Sequence, residues 1–418
     1  MWYPPFVLVR DIIIVGSGPA GASTALHLLK ADPSLAGEML LLDKAVHPRE
    51  KICAGGLIPH TLDCLKELDI PLSVPHVQVD RALVRVPPNR EVFCEDGGMC
   101  SIVRRDEFDF SLIQAARERG AEIREGEKVL ALVREAQGIR LETEHNTYFA
   151  RVVVGADGSG SRVRRQLIDE DPTPVGKAIM CDVPVADTIW SGFSQRRYDF
   201  NFLPVPQGLK GYLWEFPCLI GGVPHVNVGI YSLGDTRLGN AGLQQLLAQE
   251  VAALGLRDRA CVSSSALSTQ HSALFSPKFR AFPIHGYTPR QRLAAPHVVL
   301  VGDAAGAEQL MGEGISFALE YGKFAAAQVR MALHSQRFEF SEYTGALARS
   351  WLGKKLTRLH QTARLFYGRA APVCFTLAAR SRRLQSVGLK WYNGVEDWHQ
   401  RSGWEAVWAL LRPQKDEV

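Results

Sequence analysis

The chain has 418 residues, of which 46% are hydrophobic and 22% are charged, and its formal net charge is +4. This length exceeds the span of one hydrophobic core, so we expect two lobes and an appendage. The ordinary composition excludes a disordered protein, and the small positive charge gives no support for a nucleic-acid partner. The sequence has neither a secretory signal nor an apolar run of the roughly 18 residues that span a membrane, so we expect a cytoplasmic protein. Eight cysteines occur without a CxxC pair or a His/Cys cluster at ligand spacing, and no metal site is therefore expected.

The N-terminal pattern is a strand, a glycine turn and a helix. Residues 11–15 (DIIIV) form an apolar run that is typical of a strand buried on both faces of a parallel sheet. In the following turn, GSGPAG, the first glycine permits a tight turn, the second lets the backbone approach a pyrophosphate, and the third lets the helix pack closely on the strand. A second apolar run, 39–42, ends in Asp43, where such a unit places the acid that binds a ribose hydroxyl. The sequence therefore predicts a dinucleotide-binding loop with contacts from Gly16, Gly18, Ala20 and Gly21.

A second glycine-rich turn contains an acid and favours FAD over NAD as the dinucleotide. It follows the strand-like run 297–301, begins with Gly302 and Asp303, and ends where Gly314 and Ile315 start a helical pattern. A turn of this kind can anchor the polyol chain and the ring end of a ligand, and NAD has no polyol chain. We therefore predict FAD as the cofactor.

Together these motifs resemble those of the p-hydroxybenzoate hydroxylase-like flavoproteins over about residues 10–340. The resemblance implies that Asp303 binds the ribityl chain and that the helix from Gly314 points its positive end at the flavin pyrimidine. Two further segments match the same superfamily. The stretch from Arg105, RDEFD, is similar to the RxxFD pattern whose arginine lies near the flavin diphosphate and ribityl groups, and Asp157 begins a DG segment.

Two more segments are similar to motifs of one branch of the superfamily, the geranylgeranyl reductases. Residues 51–56 (KICAGG) resemble the KxCxGG loop of these enzymes. The resemblance implies that Cys53, Gly55 and Gly56 lie beside the flavin and the end of the substrate. The family more often has a glycine where Ala54 stands.

The second of these segments, 211–217 (GYLWEFP), resembles the YxWxFP motif of the same reductases. In a strand, Tyr212, Trp214 and Phe216 point to one face. These aromatics either form plain core or line a tunnel for an apolar chain, and we favour the tunnel. Relatives commonly have a proline where Gln309 stands, and this departure makes the substrate harder to infer than the cofactor.

The resemblance implies an α/β fold with three parts: a Rossmann-type FAD-binding domain, an inserted α+β substrate domain whose antiparallel sheet covers the flavin, and a C-terminal helical segment. We assign residues 1–75, 95–165 and 286–345 to the FAD-binding domain, 76–94 and 166–285 to the substrate domain, and 346–418 to the helical region. Within the substrate domain the pattern predicts strands at 183–185, 202–205, 211–216 and 225–231, a hairpin at 83–93 and a helix at 243–256.

The resemblance also implies a reaction. An external donor, NADPH or NADH, reduces the flavin, which passes hydride to a carbon–carbon double bond of a prenyl or similarly apolar small molecule or lipid, while Cys53, Tyr212 or a bound water supplies the proton. No second nucleotide motif identifies the donor. Two alternatives stay open: a flavin monooxygenase or halogenase would use the same motifs, and a prenyl-lipid binding protein of this fold would lack working FAD.

The C-terminal segment 350–395 has nine Lys or Arg residues and no acid, interleaved with leucines and aromatics. A stretch of this kind is a solvated face, a nucleic-acid patch or a helix that lies on a membrane surface, and the nucleic-acid patch is the least favoured of the three. Aromatic side chains suited to a membrane interface occur here and just beyond, and we therefore keep peripheral membrane contact as the alternative to a solvated face. These side chains are Trp391, Tyr392, Trp398, Trp404 and Trp408.

Overall fold

The computed structural model of the protein describes residues 7–168, 175–185, 190–257 and 278–395. Trp398, Trp404 and Trp408, part of the predicted membrane interface, lie outside the described residues. The strands are β1 (Val7–Val15), β2 (Met39–Leu42), β3 (Gly56–Leu57), β4 (His76–Val86), β5 (Arg90–Val103), β6 (Glu122–Arg124), β7 (Val129–Glu135), β8 (Gly138–Thr143), β9 (Thr147–Gly155), β10 (Val175–Pro184), β11 (Arg197–Asn201), β12 (Gly211–Ile220), β13 (Val223–Ser232), β14 (Arg280–His285), β15 (Ala294–Ala295) and β16 (Val298–Leu300). The helices are α1 (Pro19–Ala31), α2 (Pro59–Glu67), α3 (Arg105–Glu118), α4 (Asn240–Arg257), α5 (Ile315–Ser335), α6 (Tyr343–Arg349), α7 (Trp351–Phe366), α8 (Ala371–Arg380) and α9 (Arg382–Tyr392).

The first sheet has a parallel core in the order β16-β9-β1-β2-β6, with β15 antiparallel at one edge and the β7–β8 hairpin joined through β9. Within β1, Ile13 pairs with Leu40 on one side and with Val153 on the other. Their side chains are fully buried because helices cover this sheet. The loops after β1 and β16, which carry the two predicted cofactor motifs, therefore lie at the same edge of the sheet.

The second sheet is largely antiparallel, in the order β14-β10-β13-β12-β11-β4-β5-β3, with one parallel pair between β4 and β11. The predicted hairpin is confirmed, because β4 ends at Val86 and β5 begins at Arg90. The predicted strand at 202–205 is wrong. Strand β11 ends just before these residues, at Asn201, and a turn of 3-10 helix begins at Val205. Strand β5 continues to Val103, and β3 also joins this sheet. The second sheet therefore contains residues that we assigned to the FAD-binding domain.

The two faces of the second sheet differ in what they pack against. On one face, Leu213, Val228 and Ile230 form a buried cluster with α4, the predicted helix at 243–256. The Arg85 guanidinium lies there too, 2.9 Å from a Glu215 carboxylate oxygen. The alternate side chains point toward the first sheet, so the two sheets enclose the space between them.

The C-terminal helices pack back onto both sheets. Phe375 of α8 lies 5.6 Å, between ring centroids, from Phe202 at the end of β11. Lys355 of α7 is buried, and its Nζ donates to the Tyr392 carbonyl oxygen at 3.3 Å, which fixes the end of α9. In the described part of the chain, no helix has both the length and the apolarity to cross a membrane.

Candidate functional site

A cavity of about 730 Å³ lies between the two sheets. One end is formed by the glycine turns that follow β1 and β16, and the other end is formed by aromatic side chains of the second sheet. Every residue that the sequence analysis assigned to the site, except Gly21, lines this cavity. The structure therefore brings together motifs that are almost 300 residues apart in the chain.

The first glycine turn combines two tight contacts with one open position. Gly16 has a φ of +102°, and a Cβ there would lie 2.4 Å from the Ala156 carbonyl oxygen. A Cβ on Gly21 would lie 1.9 Å from the Gly16 carbonyl oxygen, so Gly21 serves close packing rather than ligand contact. At Gly18, by contrast, the nearest atom to an added Cβ is Arg49 Nη2, 3.6 Å away. No side chain caps α1, which leaves the first N–H groups of the helix for an anion.

Asp43 fixes the first turn. Its Oδ2 accepts hydrogen bonds from the Ser17 backbone N–H at 2.8 Å and from Ser17 Oγ at 2.7 Å, while Oδ1 accepts one from the Ala45 N–H at 2.9 Å. A carboxylate oxygen has two acceptor positions. Asp43 lines the cavity, so its Oδ1 retains an acceptor position for a hydroxyl group of a ligand.

Arg49, Lys51 and Arg105 are three of the cationic side chains that line the cavity. Arg105 makes a bidentate ion pair with Asp109, at 2.8 and 3.0 Å. Burial by itself lowers the pKa of Arg105, but interactions with the Asp109 carboxylate and with Cys53 together outweigh this effect, and the pKa is raised. Burial lowers the pKa of Lys51 to about 8, although the nearby Asp303 carboxylate opposes this change. Arg49, which the sequence analysis did not identify, completes the group.

The second glycine turn places Asp303 beside the cavity, where Oδ2 accepts a hydrogen bond of 3.4 Å from Ser159 Oγ. The start of α5 has a feature that the sequence did not predict. Glu313 Oε1 accepts hydrogen bonds from the backbone N–H groups of Ile315, at 2.9 Å, and Ser316, at 2.8 Å. The helix end that we expected to face the flavin with its positive pole therefore carries a carboxylate.

A second buried acid, Glu308, organises the loop before α5. Its carboxylate accepts backbone hydrogen bonds from Leu310, Met311 and Glu313 at 2.6 to 2.9 Å. Burial raises the pKa of Glu308 to about 7, although these hydrogen bonds oppose the change. Neither glutamate could be assigned from the sequence, because the roles of both depend on a loop conformation that no motif specifies.

The hydrogen bonds of Asp157 indicate whether the site suits a dinucleotide. Its Oδ2 accepts hydrogen bonds from the backbone N–H groups of Arg162, at 2.6 Å, and Val163, at 3.2 Å. Its Oδ1 is buried and has no partner among the described residues, which is costly unless a ligand donates a hydrogen bond to it. With the open α1 terminus at Gly18 and the cation Arg49, this acceptor fits a ligand that has both an anionic diphosphate and hydroxyl groups.

The other end of the cavity is aromatic. Tyr212, Trp214 and Phe216 lie on one face of β12, as predicted, and all three line the cavity. Further aromatic lining residues were not predicted from the sequence. Two of them alternate in β11, which the predicted strand at 202–205 did not include, and the others lie on β13, β14 and α9. These residues are Tyr198, Phe200, Tyr231, Phe282 and Tyr392.

The two proposed proton donors differ in what they contact. The Tyr212 hydroxyl donates to the Met311 carbonyl oxygen, and burial raises the pKa of Tyr212 well above its usual value. Cys53 is a free thiol that is half-buried. Its Sγ lies 3.4 Å from the Gly55 backbone nitrogen, and Cys53 contributes to the raised pKa of the Arg105 guanidinium.

The chain is similar in sequence to known flavoproteins. The FAD binding domain family matches residues 10–191. Menaquinone reductase of Mycolicibacterium smegmatis is 29% identical over 336 residues, which cover 76% of this chain and 75% of that protein. Digeranylgeranylglycerophospholipid reductase 3 of Methanosphaera stadtmanae is 25% identical over 363 residues, 83% of this chain and 84% of that protein.

Solved structures share the fold over nearly the whole chain. A geranylgeranyl bacteriochlorophyll reductase-like protein from Thermoplasma acidophilum has a TM-score of 0.73 at 19% identity and covers 97% of this chain and 99% of its own. A flavin-dependent brominase has a TM-score of 0.71 at 16% identity, with 96% and 97% covered. These similarities confirm the predicted fold class. Together with the FAD binding domain and the similar reductases, they confirm the predicted resemblance to the geranylgeranyl reductase family and show that the chain is an FAD-dependent oxidoreductase.

Proposed function

We propose that the protein reduces carbon–carbon double bonds in a prenyl or other isoprenoid-like chain. The observation that carries this proposal is the aromatic end of the cavity, where Phe200 lies 5.4 Å from both Tyr212 and Phe216 between ring centroids. Aromatic surfaces suit an apolar chain better than a polar metabolite. Bound FAD, reduced by NADPH or NADH, would supply the hydride.

The names of the relatives support an apolar substrate. One is named for the reduction of menaquinone and another for the reduction of a geranylgeranylated phospholipid. The brominase shares the fold, so a flavin halogenase or monooxygenase is the competing proposal. The two differ in whether oxygen is consumed.

For the cofactor, we propose that the first turn binds the diphosphate and that the acids bind hydroxyl groups. The backbone at Gly18 and Ala20, with Arg49 and Arg105, would hold the anionic diphosphate. Asp43 would accept from a ribose hydroxyl. Asp303 and Asp157 would accept from the ribityl chain, since both line the cavity and one oxygen of Asp157 lacks a partner among the described residues. Gly302, Gly314 and Ile315 would provide backbone contacts near the ring.

For the proton, we propose Cys53 in place of Tyr212. The Tyr212 hydroxyl is already committed to a backbone carbonyl, and its high pKa opposes proton release. The Cys53 thiol could donate its proton to the substrate carbon that does not receive hydride, and the thiolate would then be stabilised by the Arg105 guanidinium. Gly55 and Gly56 line the cavity beside the thiol, where the substrate end would lie.

A membrane surface is the proposed source of the substrate. Leu365, Val373 and Leu377, on α7 and α8, are 58%, 61% and 52% exposed. Exposed arginines such as Arg364 and Arg380 accompany them. The aromatic side chains that line the cavity form its aromatic wall. On their inner side these helices contact Phe202, whose ring packs on Tyr212 of this wall, so the patch lies close to the cavity. Apolar side chains among cations favour an anionic lipid surface.

Anaerobic turnover tests the reaction. With a geranylgeranylated lipid, FAD and NADPH or NADH under anaerobic conditions, mass spectrometry should detect products that have gained two hydrogens per reduced double bond. If product forms only in air and gains oxygen or halogen, the proposal is wrong and the competing one is supported. A purified protein that cannot be loaded with FAD would instead indicate a lipid-binding role.

Replacing Asp303 tests the cofactor site. Asp303→Ala should weaken FAD binding about 10- to 100-fold, because a hydrogen bond to a charged group is lost. FAD occupancy is measured by absorbance after gel filtration and titration of the apoprotein. Asp235→Ala, at an exposed carboxylate that pairs with Lys210, is the matched control and should retain FAD. Unchanged occupancy in Asp303→Ala would refute the assignment.

Replacing Cys53 tests the proton donor. Cys53→Ala should lower kcat about 10²- to 10³-fold, the usual contribution of a general acid, while FAD occupancy stays unchanged. Cys218→Ala, at a buried cysteine on the same sheet as the aromatic wall, controls for loss of a thiol and should retain most activity. Activity of Cys53→Ala close to that of the wild type would exclude the role.

Vesicle sedimentation tests the membrane contact. The protein should bind vesicles that contain anionic phospholipid more tightly than purely zwitterionic vesicles. The double variant Val373→Ser, Leu377→Ser should bind about tenfold more weakly, because apolar surface is lost from the contact. Val223→Ser, at another exposed valine, should bind normally. Equal binding by all variants would place the contact elsewhere.

A further inference from the structure

A cluster of potential metal ligands lies at the junction of α2, α5 and α7. His60 and Cys64 are four residues apart on α2, so they share one face of that helix. Glu320 of α5 faces them. His60 Nε2 lies 3.1 Å from Glu320 Oε1, Cys64 Sγ lies 3.6 Å from the same oxygen, and Cys64 Sγ lies 3.8 Å from His60 Nε2. The sequence analysis expected no metal, because the third ligand comes from a helix more than 250 residues away.

We propose that His60, Cys64 and Glu320 bind one zinc-like divalent cation. Zinc bonds of about 2.0–2.3 Å at tetrahedral angles place neighbouring ligand atoms roughly 3.3–3.7 Å apart. The three observed separations fall close to this range. Imidazole, thiolate and carboxylate are also the side-chain groups that zinc prefers.

The charges around the cluster are compatible with a dication. A thiolate at Cys64 and the carboxylate of Glu320 would together balance two positive charges. The nearby cation Lys323 pairs with Glu67 at 2.6 Å, so its charge is largely offset. Among the described residues, the cluster contains these three ligands alone, and water would fill the fourth position.

The cluster lies where several helices meet. The side chains of His60 and Glu320 are 15% and 16% exposed, and Cys64 is buried. The Trp351 ring of α7 lies 4.6 Å from the His60 ring between centroids. The backbone N–H of His60 donates to the Asn393 carbonyl oxygen, just after α9. A cation would therefore cross-link α2 to α5 at a point where the C-terminal helices also pack.

Metal analysis of the FAD-loaded protein tests this site. After chelation and dialysis, the wild type should bind one equivalent of Zn²⁺ or Co²⁺ per chain. With Co²⁺ it should show the near-ultraviolet absorption of a cobalt–thiolate bond. Metal content by plasma mass spectrometry and thermal unfolding with and without Zn²⁺ provide readouts that do not depend on activity. A wild-type chain that binds no stoichiometric metal would overturn the proposal and leave a hydrogen-bonded triad.

Two variants and one control test the ligand assignment. Cys64→Ser should lose the cobalt–thiolate absorption, and Glu320→Gln should bind Zn²⁺ at least about tenfold more weakly even if Cys64→Ser folds poorly. Cys374→Ser, at a half-buried cysteine on α8, is the matched control and should bind like the wild type. Circular dichroism and FAD absorbance establish that each variant is folded. Cobalt–thiolate absorption that persists in Cys64→Ser, or full Zn²⁺ affinity in Glu320→Gln, would refute the assignment.

Discussion

Close packing of α1 is the constraint on which the cofactor site depends. A Cβ on Gly21 would lie 1.9 Å from a backbone oxygen of the first turn, and one on Gly302 would lie 2.7 Å from Ala20 Cβ. On α5, a Cβ on Gly322 would lie 2.6 Å from Ser23 Cβ. Glycine at these three positions brings α1 against both cofactor turns and against α5. Since both helices begin at the same end of the cavity, their spacing sets the distance between the two glycine turns.

The two helix ends at this cavity have opposite electrostatic character. The start of α1 is uncapped and close to Arg49, whereas the start of α5 is capped by the Glu313 carboxylate. Positive potential is therefore concentrated where the diphosphate is proposed to bind. Lys51 lies between the two ends, with its Nζ 3.2 Å from the centroid of the Phe282 ring. The Glu313 carboxylate offsets much of the positive end of the α5 dipole. The dipole alone therefore does not describe the electrostatic field at the proposed position of the flavin ring.

Local motifs predicted much of the fold and one end of the site, but contacts that depend on tertiary structure could not be predicted. The glycine turns and Asp303 were identified because turn geometry and backbone approach restrict the residue type at each position. The roles of Glu313 and Glu308 follow from a loop conformation. Tyr392 was assigned to a membrane interface because it follows a basic helix, yet it lines the cavity, since the buried Lys355 holds the end of α9 inward.

The aromatic wall constrains how this enzyme family can select among apolar chains. An apolar pocket discriminates one methylene by only about 1–3 kcal/mol, whereas a buried polar group that is left unpaired costs far more. Phe200, Tyr212 and Phe216 can therefore favour an apolar chain without strictly defining its length or head group. Because the Tyr212 hydroxyl is already paired with a backbone carbonyl, it does not act as a free polar determinant. For the proposed prenyl substrates, selectivity would then come from the depth at which the chain stops relative to the flavin, and from polar contacts to the head group outside the aromatic wall.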